Sequence, residues 1–159
     1  MSEWNKRLML MEKKKILKRL KEISKDLPDN FKEEILAYGL IGSFARNTAK
    51  KHSDIDIFVI TKEDKINEFE FYKFFKEKFK NFHRDITIIT YSLFALKKIP
   101  CWHTLIMCKE GIFTYDKGNI KKIFKEILKL AKKHGVIWDN KKKVFVIKDA
   151  PRIVKFELE

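Results

Sequence analysis

The run from Ile35 to Ile60 constrains this chain more than any other stretch. Ile35 to Ile41 is short and mostly apolar, which suits a buried strand. Gly42 breaks the run, because glycine turns sharply and lets another group approach its backbone closely. Ser43 is a good N-cap, and the residues after it predict a short helix from about Phe44 to Lys51. A second strand follows, Asp54-Ile55-Asp56-Ile57-Phe58-Val59-Ile60. The stretch reads strand, Gly-Ser turn, helix, loop, strand.

Its polar elements have definite chemical uses. A helix N-terminus has unpaired N–H groups and a partial positive charge, so Gly42-Ser43 is a phosphate seat as well as a common kind of turn. In a strand, residues i and i+2 share a face, so Asp54 and Asp56 project together, roughly 7 Å apart at the backbone. Ile55 and Ile57 then face a core. Two such carboxylates repel unless a cation sits between them, and hard oxygen ligands suit Mg²⁺, with Mn²⁺ a permissible substitute. A third acid, Asp85, opens the β-branched run Arg84-Asp85-Ile86-Thr87-Ile88-Ile89-Thr90. Paired beside the Asp54 strand, it reaches the same face. Three acids there complete a two-metal site, which stabilises the attacking and leaving oxygens of an in-line phosphoryl displacement. The plainer reading, surface acids at strand ends, fits poorly with strands otherwise so apolar.

Gly42-Ser43, ten residues, then Asp54-x-Asp56, with Asp85 on a later strand, resembles the nucleotidyltransferases of the DNA polymerase β superfamily. In their wording, Gly42-Ser43-Phe44-Ala45-Arg46 and Ser53-Asp54-Ile55-Asp56-Ile57 resemble the small stand-alone members, the minimal nucleotidyltransferases (MNT). The likeness is strong from Ile35 to Asp85 and weaker on to Tyr115. One departure is Asn47, where the family often has Gly; Asn tolerates the left-handed region.

The resemblance implies an α/β (α+β) fold, a mixed β-sheet with helices packed on it. It implies Mg²⁺-dependent transfer of a nucleoside monophosphate, AMP first, from a nucleoside triphosphate to an acceptor hydroxyl, with release of pyrophosphate. In that scheme Asp54 and Asp56 bind two Mg²⁺. The backbone of Gly42-Ser43 and the Ser43 hydroxyl hold the β- and γ-phosphates. Asp85 binds the metal on the acceptor side, and Arg46, one helical turn into the motif, contacts phosphate. Small members often act as antitoxins beside a HEPN-type ribonuclease toxin, and some attach AMP to it, so the implied partner is such a toxin and the acceptor a protein tyrosine. Small-molecule nucleotidyltransferases share the motif, and no residue separates the two.

The rest of the chain fits around this core. Ser2 to Leu27 predicts a long basic amphipathic helix with Ile16, Leu17, Leu20, Ile23 and Leu27 on one side; Pro28 closes it, and Asp29-Asn30 leads to the first strand. Core filling is the favoured role for Met9-Leu10-Met11. Lys65 to Phe82 predicts a second helix, so rich in aromatics (Phe69, Phe71, Tyr72, Phe74, Phe75, Phe79, Phe82) that it covers one face of the sheet. Between two parallel strands it would be a right-handed crossover. Short helices are predicted over Tyr91 to Lys98 and Cys101 to Lys109, then an extended piece, Ile112 to Tyr115. Asn119 to His134 predicts an amphipathic helix stopped by Gly135. Val136 to Trp138, Lys143 to Ile147 and Arg152 to Leu158 read as strands, the first two joined by a turn at Asp139-Asn140-Lys141.

At 159 residues one domain is expected, 1–159, with the motif core at about 35–115 and an extension at about 119–159. There is no apolar run of membrane-spanning length and no secretory signal, and Cys101 and Cys108 form no C-x-x-C pair, which together point to a cytoplasmic protein. The formal charge is +14, which favours polyanions, but the lysines are spread along the whole chain, and a solvated surface is preferred to a nucleic-acid groove. His52 is read as a loop histidine, and His83, His103 and His134 share no zinc-ligand spacing. Two other classes stay open: a non-catalytic module that masks a partner toxin, and a basic nucleic-acid binder using the first helix. A glycosyltransferase also uses Asp-x-Asp but would not explain Gly42-Ser43 upstream.

Overall fold

The computed structural model describes residues 3–64, 67–99, 101–148 and 158–159. The first helix, α1 (Glu3–Ile23), buries Met9, Ile16, Leu20 and Ile23 and leaves Lys14, Lys15, Lys18 and Lys21 in solvent. This is the helix packed on a sheet with a wet basic side. Met9 fills the core as expected, while Leu10 and Met11 are exposed. The helix stops at Ile23, short of the expected Leu27, and Ser24 Oγ donates to the Lys21 carbonyl at 2.6 Å. A short helix, α2 (Asp29–Glu34), then stands where a plain lead-in was expected. Six residues are too few to show a helical period. Burial of Phe31 holds α2 in place, edge-on to Phe71 at 4.9 Å and Phe74 at 5.3 Å.

The core motif then runs β1 (Ile35–Ile41), α3 (Gly42–Arg46) and β2 (Ile55–Thr61). The expected helix to Lys51 is cut short at Arg46, because Asn47 takes the left-handed conformation (φ 63°) and the Thr48 N–H closes on the Ser43 carbonyl at 2.9 Å. Asn47 thus adopts the left-handed backbone that asparagine tolerates. Gly42, at φ 76°, makes the sharp turn itself; the helix starts there, and Ser43 sits inside the first turn rather than capping it.

Helix α4 (Glu68–Lys78), followed by a 3₁₀ turn at Lys80–Phe82, crosses from β2 to β3 (Ile86–Ser92). The first residues expected of this helix, 65–66, lie outside the described ones. Strand β3 reaches further than expected, so α5 (Leu93–Lys97) starts at a genuine N-cap, Ser92, whose Oγ accepts from the Ala95 N–H at 3.0 Å. Then come α6 (Trp102–Glu110), β4 (Ile112–Asp116), α7 (Ile120–Lys133) and a hairpin of β5 (Val136–Asp139) and β6 (Val144–Ile147). The expected strand at 152–158 lies outside the described residues except at its last position, where the Leu158 N–H bonds the Lys97 carbonyl at 2.8 Å.

The main sheet has the order β3-β2-β1-β4. β2 and β3 are parallel, joined by the α4 crossover, while β1 is antiparallel to both β2 and β4. This is the mixed sheet expected. The β5–β6 hairpin does not extend it; it forms its own two-stranded sheet.

Alternation in β2 divides the interior. Ile55, Ile57 and Val59 face one core with α1, α2, α3 and α4, where Phe71, Phe75 and Phe79 are buried. Phe58 and Ile60 face a second core with α6, α7 and the hairpin, built on Leu105, Met107, Ile120, Phe124, Ile127 and Phe145. Asp56 has the parity of Phe58 and Ile60, so it belongs to the second face, at the strand end that the core does not cover. Among the described residues no helix is long and apolar enough to cross a membrane.

The two kinds of aromatic on α4 give a test of this layering. Phe75 is fully buried against Tyr38, while Phe69 is 65% exposed. Phe75→Ala is expected to cost about 3–5 kcal/mol, and Phe69→Ala less than about 0.5 kcal/mol, read by urea denaturation of the two variants beside the parent.

Candidate active site

The two aspartates stand at the start of β2, Asp54 exposed and Asp56 half-buried. Across the sheet Asp56 is in register with Ile41 on one side and Thr87 on the other. The residue after Ile41 is Gly42, and the Asp56 carboxylate lies directly against it. A methyl group added at Gly42 would sit 2.0 Å from Asp56 Oδ2. Glycine is required here twice over, for the left-handed backbone and for the close approach of a carboxylate.

Burial pushes the Asp56 carboxyl above the usual carboxylate range, and the like charge of Asp54 pushes the same way; the Thr87 hydroxyl, Arg46 and His103 draw it back. A half-buried carboxylate beside another carboxylate is an unfavourable arrangement that a divalent cation would relieve. The donor chemistry and the cramped glycine seat therefore fit a hard cation. Among the described residues no three His, Cys, Asp or Glu side chains are grouped to hold an ion. The donor set present is the aspartate pair, and Mg²⁺ commonly takes one or two carboxylates and completes its shell with water and substrate phosphate.

Asp85 lies just before β3, beside Asp54 in the parallel register, and its carbonyl accepts the Ile55 N–H at 2.9 Å. The backbone thus brings the third acid next to the pair, as the sequence predicted. Its side chain, however, turns to α4, which packs on the opposite face. There Lys76 Nζ donates to Asp85 Oδ1 at 2.8 Å, and this holds the Asp85 carboxyl below its ordinary value. Arg46, at the end of α3, donates from Nη1 to Glu110 Oε2 at 2.9 Å. Glu110 is the last residue of α6, so this bond ties the motif helix to the second-face layer while the charge of Arg46 still acts on Asp56.

The loop from Asn47 to Ser53 is secured from two directions. Lys13 on α1 donates to the Ala45 carbonyl at 3.1 Å and to Asn47 Oδ1 at 2.8 Å. Arg84 donates to the carbonyls of Lys50, Lys51 and Ser53 and is itself held by Glu12. His52 is an exposed residue of this loop.

Sequence reasoning missed Thr87, His103, Glu110 and Arg84. Thr87 was within reach, since it stands two residues after Asp85 on the same strand and so shares its face. His103 and Glu110 carried no signal, because their place depends on how α6 crosses the sheet.

Residues 13–127, well over half of the chain, match the nucleotidyltransferase domain family. The chain belongs to that family. One chain of a toxin–antitoxin crystal structure with AMP-PNP is 18% identical and aligns over 77% of this chain and 87% of its own, with a TM-score of 0.50. A chain from the complex of a tri-AMPylated Shewanella oneidensis HEPN toxin with MNT antitoxin is 17% identical over 73% of this chain and 85% of its own, with a TM-score of 0.46. At 18% identity the likeness to the first of these is one of fold. No curated protein matches the chain in sequence.

Two substitutions probe the crowded seat. Gly42→Ala is expected to cost about 1–2 kcal/mol from the left-handed backbone alone and to displace the Asp56 carboxylate. Asp56→Asn is expected to do the reverse to stability. A carboxyl that titrates higher in the folded than in the unfolded chain costs stability as pH rises through the folded value, so ionised Asp56 is unfavourable at neutral pH. The Tm of metal-free Asp56→Asn should therefore rise. Differential scanning calorimetry at pH 7 with a chelator checks both signs.

Proposed function

We propose that this protein transfers a nucleoside monophosphate, AMP in the first instance, from a nucleoside triphosphate to a hydroxyl on a protein partner, and that the partner is a HEPN-type toxin. The observation that carries the reading is the Asp54–Asp56 pair at the end of β2, with Asp56 pressed against the Gly42 turn. Family membership supports the transferase class. The motif wording and the toxin–antitoxin fold relative support the choice of partner.

In this reading Asp54 and Asp56 would hold Mg²⁺, with Asp85 available as a third ligand once its carboxylate is free of Lys76. Bound there, the metal would supply charge neutralisation and Lewis acidity. The chain's own residues orient the reactants. The backbone N–H groups at Gly42-Ser43 and the Ser43 hydroxyl receive the β- and γ-phosphates. Gly42 lets the Asp56 carboxylate lie directly against this phosphate seat. Arg46 spends one guanidinium N–H on Glu110, and the remaining N–H groups of its fork suit a phosphate oxygen. The acceptor oxygen forms a bond to the α-phosphorus, the bond from that phosphorus to the β-bridging oxygen breaks, and pyrophosphate departs. Asp85, once its carboxylate is free of Lys76, would take the hydroxyl proton.

The test is calorimetric titration of ATP, GTP, CTP and UTP with and without Mg²⁺, beside the Asp54→Asn/Asp56→Asn double variant. Binding that needs metal and disappears in the double variant is the expected result, with ATP preferred. Absence of binding to every nucleotide would overturn the transferase reading and leave a module that masks its partner by contact alone. Transfer of labelled AMP to a co-expressed HEPN toxin then tests the acceptor.

A further inference from the structure

We propose that Arg84 is a positioning residue for the carboxylate site, and that Glu12 on α1 aims it. The inference rests on the reading of Asp54, Asp56 and Asp85 as the metal-binding acids. One guanidinium touches both the loop before β2 and the motif helix α3, and its own residue precedes Asp85. Arg84 Nη1 donates to three carbonyls of the loop before β2: Lys50 at 3.2 Å, Lys51 at 3.0 Å and Ser53 at 2.7 Å. The Ser53 carbonyl belongs to the peptide that leads into Asp54. Beneath the guanidinium lies the Phe44 ring of α3, 4.9 Å from the Arg84 Cζ to the ring centroid, two residues from Gly42. Arg84 is itself joined by a peptide bond to Asp85, whose carbonyl binds the Ile55 N–H at 2.9 Å.

The other edge of the guanidinium is gripped by Glu12, Nε to Oε1 at 2.6 Å and Nη2 to Oε2 at 2.9 Å. This is a two-pronged pair with little solvent: the Arg84 side chain is 13% exposed and that of Glu12 28%. The Arg46–Glu110 pair, by contrast, is a single contact whose arginine is 42% exposed. Three carbonyl oxygens converging on one point repel each other unless a donor stands between them. The loop therefore keeps this shape only while a cation with several donors occupies that point. Arginine can serve the carboxylate and the carbonyls at once because its donors form a rigid fork; lysine is a single charged point and cannot bridge both sides. The consequence is that Asp54, Asp56 and the Asp85 backbone keep their spacing before any metal arrives. Partners outside the ligand shell that orient ligands are typically worth about 10–100-fold in metal affinity or activity.

Arg84→Lys and Glu12→Gln test this. Mg²⁺ is titrated against ATP binding and against AMP transfer, and amide exchange is followed over residues 48–56. The expected result is a rise in half-saturating Mg²⁺ of about tenfold in Arg84→Lys, at the low end of that range, and a smaller rise in Glu12→Gln. Saturating Mg²⁺ should restore the transfer rate, and exchange should quicken across 48–56 ahead of the rest of the chain. Unchanged Mg²⁺ dependence in both variants overturns the proposal. So does a loss of the same proportion at every Mg²⁺ concentration with exchange quickened throughout the molecule, since that is a general loss of fold. If the parent protein itself binds no nucleotide, the transferase reading fails separately. The exchange arm then stands alone: local quickening at 48–56 keeps the clamp, and none removes it.

Discussion

The like charge of Asp54 and Asp56 at the end of one strand is the constraint that the surrounding structure is arranged to bear. Left alone, the pair favours proton uptake at Asp56 or movement apart. The Asp56 side chain has little room to move. Asp56 lies against Gly42, and β2 is locked between β1 and β3 with its alternate residues buried on both faces. The repulsion is held by the sheet.

Positive charge is set around the pair at one remove. Arg46 reaches it from α3 but is anchored by Glu110, and Lys76 stands on the far side of Asp85. Arg84 lies behind the loop, engaged with Glu12 and three carbonyls. Each of these cations has a carboxylate partner, so none collapses onto Asp54 and Asp56. The arrangement costs stability locally, as functional sites commonly do, and the two cores on either side of the sheet supply the compensation.

Elements with a strong period were legible in advance. The buried strands at 35–41 and 55–61, the aromatic helix and the helix from Ile120 to Lys133 came out within a few residues of the pattern that predicted them. Short elements were not. α2 has one turn and is stabilised by a single buried ring, Phe31. α3 ends where one residue, Asn47, enters the left-handed region, although helix-compatible residues follow it. Local chemistry allowed both outcomes at these places, and packing against α4 and α1 chose.

By itself the sequence determined the pieces of chemistry that spacing along one strand or turn can specify: a glycine turn before a helix, two carboxylates on one face, a third acid opening a neighbouring strand. These follow from covalent geometry, since alternation in a strand and the permissiveness of glycine need no knowledge of the rest of the molecule. Tertiary structure alone decided the partners across the sheet. It put Thr87 level with Asp56, turned the Asp85 carboxylate to Lys76 on the other face, and set Glu110 against Arg46. It also drew Glu12, Arg84 and the loop from Lys50 to Ser53 into one cluster. Residues 72 positions apart meet there because a fold closes distances that no local period records.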